Sequence, residues 1–422
     1  MADAVVVGGG LGAVRAAAAL RASGRSVVLV QEGGRLAGLT DPGLPVGTGF
    51  ERFANPPAGW RAVAGLTTGL YVGGRVHALP LSRTILPKLF PVAQMASAAG
   101  AWGRSKASGE LARLIGGGKE VRTYQDWLTQ ALGAPVFERM FLPYCERRFG
   151  DPAGITANVA RGVHGPVAGG GRACPAHGRA AELRSLVGGI EVVYAAVAGL
   201  EAGVVRTEVG DVEGEVFVDL PPARVVSLLG AAAPAGLASE VSWLRFRHAL
   251  EVSLEGGASL PWITHVVDGP GQAYRFVRNG LFPGNGSLQG RVSVQMSVEG
   301  NDPLWSGPEA DVVASALCAL SEVTPGATAE GARVQRVADH NPVWVTTTAA
   351  RMRRYILALS ELKITPVGRA GTYAPLSGDR EVAYLNTVIG GGVSVSEALR
   401  VHVQPPVVID EPSAHLTDFA NA

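Results

Sequence analysis

Residues 4–31 read AVVVGGGLGAVRAAAALRASGRSVVLVQ, and this stretch decides the fold class. Ala4–Val7 and Ser26–Val30 are short apolar runs without polar alternation, so both faces of each strand must be covered, as in a parallel sheet. Between them Ala13–Ala22, rich in alanine and leucine, reads as a helix. Strand, helix and strand in this order make a βαβ unit with a right-handed crossover. On its first turn Gly8, Gly10 and Ala13 form G-x-G-x-x-A. The first glycine permits the tight turn, the second lets a dinucleotide's diphosphate approach the backbone, and the small third residue packs helix on strand. The N–H groups at the helix start, around Leu11, Gly12 and Ala13, and the helix dipole favour an anion there. The bland reading is a glycine-rich turn with no ligand.

An acceptor for ribose hydroxyls belongs at the end of the second strand. That position holds Gln31, with Glu32 next. A carboxylate accepts two hydroxyl hydrogen bonds well, whereas an amide carbonyl is neutral and weaker. Either Gln31 substitutes, or a one-residue shift brings Glu32 round, or affinity for the dinucleotide is lost.

The composition excludes several classes. A chain of 422 residues has enough length for two or three domains. Its 57 glycines are roughly twice the usual 7% but follow no Gly-X-Y period, so collagen is ruled out. A formal charge of +1 without a basic stripe gives no footprint for nucleic acid. The three cysteines, Cys145, Cys174 and Cys318, form no C-x-x-C and suggest neither a disulfide framework nor a zinc site. The eight histidines show no metal-ligand spacing, and no G-x-S-x-G supports serine hydrolysis. No leader precedes the first strand, so a cytoplasmic location is expected. Ile85–Trp102 is apolar but carries Pro87, Lys88, Pro91 and Gln94, which suits a buried helix or channel wall better than a membrane span. A peripheral membrane contact is the competing reading.

Further along, Thr123 caps a helix over Tyr124–Leu132, and a second helix over Val136–Tyr144 is interrupted at Pro143. Strands are expected at Ile190–Val197, Glu215–Leu220, Ala249–Leu254, Trp262–Val267, Arg291–Ser297 and Lys363–Gly368, with a helix over Asp311–Val323. The aromatic cluster from Tyr124 to Phe149 reads as helical core, with an apolar substrate wall as the alternative.

Three segments carry a resemblance. VVVGGGLGAVRAAAALRASGRSVVLVQEGGRLAG is similar to the opening of flavin-containing amine oxidase and protoporphyrinogen oxidase relatives, whose R-x-G-G motif is matched by Arg35, Leu36, Ala37 and Gly38, with alanine for one glycine. YVGGRVHALPLS and TYQDWLTQALGAPVFERMFLPYCERRFGDP resemble the substrate-domain signature of the branch that includes UDP-galactopyranose mutase. GRAGTYAPLS, residues 368–377, is similar to that branch's carboxy-terminal flavin segment, although its tyrosine-rich sugar-binding motif is missing.

The resemblance implies an α/β fold, with a Rossmann-like FAD-binding domain and a mixed-sheet plus helical substrate domain. Residues 1–80, 175–240 and 345–402 would form the first, 81–174 and 241–344 the second, and 403–422 a tail. FAD would meet Gly8, Gly10, Leu11, Gly12, Ala13, Gln31 or Glu32, Arg35, Gly38, Val197, Gly368, Arg369, Gly371 and Tyr373. The implied activity is FAD-dependent oxidation of an apolar or amine-type small molecule by hydride transfer. No motif singles out a catalytic base, and oligomeric state is unreadable. Gln31 and Ala37 motivate an alternative, a flavin-fold binding or structural subunit with lost or weakened redox activity. An NAD(P)-dependent oxidoreductase is a second alternative that leaves GRAGTYAPLS unexplained.

Overall fold

The computed structural model describes residues 1–32, 51–52, 60–62, 68–79, 89, 96, 100, 123–157, 172–175, 185–256, 259–269, 271–278, 290–374, 378–390 and 393–402. Two of the expected site residues, Arg35 and Gly38, lie outside them, as does most of Ile85–Trp102. The chain forms two compact units. One comprises Met1–Ala62, Arg172–Phe246 and Pro342–Pro405, the other Val63–Gly171, Arg247–Asn341 and Pro406–Ala422.

The first unit is built on five parallel strands, β1 (Ala4–Val7), β2 (Val27–Gln31), β3 (Glu191–Tyr194), β4 (Glu215–Val218) and β5 (Ile364–Pro366). Their order is β5-β4-β1-β2-β3. Every residue of β1 has zero exposure, as its unbroken apolar run requires. The crossover helix α1 (Leu11–Ala22) starts two residues earlier than its apolar pattern, because Gly10, extended at φ −81° and ψ 170°, serves as N-cap. Later helices are α2 (Pro222–Leu229), α3 (Thr348–Glu361) and α4 (Gly378–Ile389).

Register places the site. Val7 is opposite Val218, and Val218 is opposite Pro366. The carboxyl ends of β1, β4 and β5 therefore finish side by side, which is where doubly wound sheets take their ligands. The residues that follow, Gly8, Asp219 and Gly368, are brought together from three distant parts of the sequence. Asp219 N donates to Val7 O at 2.8 Å and Val367 N to Val218 O at 2.8 Å, locking the three ends.

The strand expected over Ile190–Val197 is two strands, β3 and Val197–Glu201. The break falls where Ala196 N and Val197 N leave the ladder for the carboxylates of Glu208 and Glu32. The second strand pairs antiparallel with Val204–Thr207, which pairs with Gly210–Glu213.

The second unit centres on a mixed seven-stranded sheet. Its order is Thr328–Pro342, Phe246–Glu255, Arg291–Val298, Ala273–Arg278, Ile263–Val266, Thr68–Val72 and Arg75–Leu79. Ile263–Val266 and Thr68–Val72 run parallel. One face, including Leu250, Val252, Val294 and Met296, packs against Val312, Ala316 and Leu320 of the helix Glu309–Val323. Tyr124–Leu132 carries a capping box, with Asp126 N donating to Thr123 Oγ1 at 3.0 Å and Thr123 N to Asp126 Oδ2 at 3.2 Å. The next helix is not broken at Pro143 as its sequence suggests. A π turn over Phe137–Phe141 carries Leu142 N to Phe137 O, five residues back, and Pro143, which has no N–H to place, sits in the first turn of Leu142–Arg148.

Candidate functional site

The turn after β1 is shaped by what glycine allows. Gly8 has φ +146°, and a Cβ there would lie 2.8 Å from Asp219 O. A Cβ on Gly10 would meet Asp219 Oδ2 at 3.0 Å. On Gly12 it would meet Gly368 Cα at 2.5 Å, Asp219 Oδ2 at 2.7 Å and Glu381 Oε1 at 3.1 Å, and on Gly368, at φ +64°, Asp219 Oδ1 at 2.3 Å. Four glycines thus form a cradle, and a carboxylate sits at its focus.

That carboxylate is held by amides from both walls. Ala13 N donates to Asp219 Oδ2 at 2.9 Å, while Ala370 N and Gly371 N point at Oδ1 at 3.2 and 3.4 Å. No side chain caps α1 at Gly10. Its leading amides therefore face the cradle, and Asp219 is the acceptor that one of them has found.

Burial raises the Asp219 pKa to about 6; Glu381 adds to the rise and the three amides oppose it. Glu381, on α4, is 6% exposed and pairs with Arg15 of α1, whose Nη1 lies 2.6 Å from its Oε2. Two acids and one base are therefore buried together behind the glycine turn. None of the three was anticipated from the sequence. A signal existed for Asp219, which stands at the carboxyl end of a parallel strand just before Pro221 and Pro222.

At the end of β2, Gln31 is 1% exposed, and its Oε1 has no hydrogen-bond partner among the described residues. Its Nε2 would stand 3.2 Å from a Cβ on Gly9. An orphaned buried acceptor beside the glycine turn is costly unless something donates to it. Glu32 is committed elsewhere. Its Oε1 accepts from Arg224 of α2 and from Val197 N at 3.2 Å, and Arg224 also donates to Val197 O at 3.1 Å. The structure therefore gathers Gly8, Gly10, Leu11, Gly12, Ala13, Gln31, Gly368 and Gly371 around one turn, and ties Glu32 and Val197 into a separate ion-paired knot.

Arg369 follows Gly368 on the one-turn helix Gly368–Gly371 and is half-buried. Tyr373 is fully buried with φ +48°. Its carbonyl accepts from Trp344 Nε1, its hydroxyl bonds to Arg245 O and Val343 O, and Phe246 meets its ring edge-on at 4.9 Å. Burial holds the hydroxyl protonated far above its ordinary range. Tyr373 is a clamp that fixes the chain leaving the cradle.

The second unit holds its own polar cluster, also unread in the sequence. Glu251 lies opposite Gln295 on the sheet face away from the apolar core. It is 5% exposed, Oε1 lacks a partner among the described residues, and burial raises its pKa to about 7. Nearby Arg275 Nε donates to Gln295 Oε1 at 2.6 Å. Alternating polar residues in a strand usually signal a solvated face; here the helix Leu142–Arg148 packs on the strands instead. Among the described residues no cluster of His, Cys, Asp or Glu is arranged to hold a metal, and no helix is long and apolar enough to cross a membrane.

No protein-family model and no curated protein matches the sequence. Solved structures do match. A reduced UDP-galactopyranose mutase superposes with a TM-score of 0.75 over 94% of this chain and 96% of that one, at 11% identity. A putative protoporphyrinogen oxidase from Exiguobacterium gives 0.63 over 92% and 98%, at 15% identity. Cyclohexylamine oxidase from Brevibacterium oxydans gives 0.58 over 96% and 99%, at 14% identity. The resemblance carried by the sequence motifs thus has its counterpart in three dimensions, and the chain has the Rossmann-like α/β fold, with its second mixed-sheet domain, of these three proteins.

Proposed function

We propose that the first unit binds FAD with its diphosphate at the head of α1, and that the chain is an oxidoreductase acting on an apolar or amine-type small molecule. The observation that carries this reading is the glycine cradle, lined by amides of α1 and of Gly368–Gly371, with Gln31 Oε1, unpartnered among the described residues, beside it. These features fit the adenosine diphosphate part of a dinucleotide. A ribose hydroxyl would donate to Gln31 Oε1, and the amides from Gly10 to Gly12 would take the phosphate oxygens. Two of the similar structures are named as oxidases, which supports redox chemistry over a purely structural role. Bound FAD would supply the hydride acceptor. The chain's own contribution is to bind, orient and exclude water, with Arg369 a cation on the carboxy-terminal wall.

The test is FAD titration of the purified full chain, followed by its visible spectrum. The reading expects one saturable site per chain, weakened in Gln31→Ala and either weakened or altered in its reduction in Arg369→Ala. No uptake of flavin would refute it, and unchanged retention in both variants would refute the site. The alternative, a flavin-fold binding or structural subunit with lost or weakened redox activity, is favoured by one observation, the carboxylate already seated in the cradle.

A further inference from the structure

We propose that the Asp219 carboxylate is a built-in competitor for a bound dinucleotide's diphosphate, seated in the glycine cradle at the head of α1. The inference rests on the reading of that cradle as the diphosphate site. The second glycine of such a turn exists to let a diphosphate approach, and the atom met by a Cβ on Gly10 is Asp219 Oδ2 at 3.0 Å. The donors a phosphate would use at a helix start are of the kind Asp219 already uses, with Ala13 N at 2.9 Å. The carboxylate is an anion in an anion's place, fixed by the covalent chain and by the Asp219 N to Val7 O bond.

Charge decides the contest. Glu381 from α4 faces the same spot, its Oε1 standing 3.1 Å from a Cβ on Gly12, and its partner Arg15 of α1 already neutralises it. Arg369 is on the turn that supplies the opposing amides. The β1–α1 turn itself brings no ionisable side chain to Asp219. An incoming diphosphate therefore meets the negative charge of Asp219 when that group is ionised and a neutral carboxyl when it is protonated. Burial has already raised the group to about 6, so protonation is accessible just below neutrality. Uptake of the diphosphate should be accompanied by uptake of a proton.

Calorimetric titration with ADP-ribose tests this, because that diphosphate diester carries the same charge at pH 7.5 and pH 5.5 and contains no flavin. Wild type, Asp219→Asn and Asp219→Ala are compared, the first variant keeping the size of the side chain and circular dichroism confirming the fold. At pH 7.5 both variants should bind about tenfold or more tightly than wild type, and at pH 5.5 the gap should close. Equal affinities at pH 7.5, or a gap that persists unchanged at pH 5.5, would overturn the proposal, as would the failure of all three proteins to bind. If the variants gain ADP-ribose but never retain FAD, the competitor stands and the flavin reading falls. If FAD is held equally by all three at pH 7.5, the competitor falls and the flavin reading stands.

Discussion

Asp219 should leave a signature in the pH dependence of folding stability. Its carboxyl is raised from 3.8 to about 6 in the folded chain, chiefly by burial. Between those values the folded state holds a proton that the unfolded state has released, so stability falls as pH rises through this window and is flat above it. Each pH unit is worth about 1.4 kcal/mol, and a rise of roughly two units gives a loss of about 3 kcal/mol between pH 4 and pH 6–7. Asp219→Asn removes the titration while keeping the volume. Urea unfolding of both proteins from pH 4 to pH 8 can be followed by tryptophan fluorescence, since Trp344 donates to Tyr373 beside the cradle and reports on this unit. The difference in unfolding free energy, wild type minus variant, should fall by about 3 kcal/mol across the window. Taking the difference cancels carboxyls that do not interact with Asp219, including Glu251. Parallel profiles would show that Asp219 is not buried as an acid, and the reasoning about the cradle's charge would fail.

The glycines offer a contrast in one experiment. Gly12→Ala would press a methyl within 2.5 Å of Gly368 Cα, a backbone atom that cannot yield, and should destabilise the chain by about 2–3 kcal/mol. Gly10→Ala meets only the Asp219 carboxylate, at 3.0 Å and 3.9 Å, and should cost about 1 kcal/mol or less while abolishing dinucleotide binding; thermal melts and ADP-ribose titration separate the two. Glu381→Leu should cost about 3–5 kcal/mol by removing the carboxylate that pairs with buried Arg15, and the double replacement with Arg15→Met should recover most of it, as measured by a double-mutant cycle in urea. Glu251, raised by burial from 4.5 to about 7, is a second acid whose stabilising proton is lost as pH rises toward neutrality. Glu251→Gln should flatten stability between pH 5 and pH 7, and an unchanged profile would count against its burial.

The β1–α1–β2 unit was legible because its signals are local. Apolar runs on both sides of a glycine turn admit few other arrangements, and the structure deviates from them by only a residue or two. Thr123 was readable as a cap for the same reason. What escaped was set by register between distant segments. Asp219 reads as one more residue of an expected strand, and only the pairing of Val7 with Val218 and Val218 with Pro366 brings it to the glycines. The long strand Thr328–Pro342 lacks apolar alternation and is mostly half-buried or exposed, so nothing in its pattern announces it. Pro143 signals a helix break by its missing N–H, yet a π turn absorbs that loss without ending the helical run. Gln31 departs from the carboxylate expected at that position, and its buried Oε1 has no hydrogen-bond partner among the described residues.

The central claim is that the turn between β1 and α1 receives the diphosphate of FAD. Quenching of flavin fluorescence on titrating FAD with the full chain, at pH 5.5 and pH 7.5 and in wild type and Asp219→Asn, tests it most directly. The account predicts saturable binding to one site per chain, tighter at pH 5.5 for wild type, tight at both for the variant, and lost in Gly10→Ala. An absence of saturable quenching in both proteins at both pH values would contradict it.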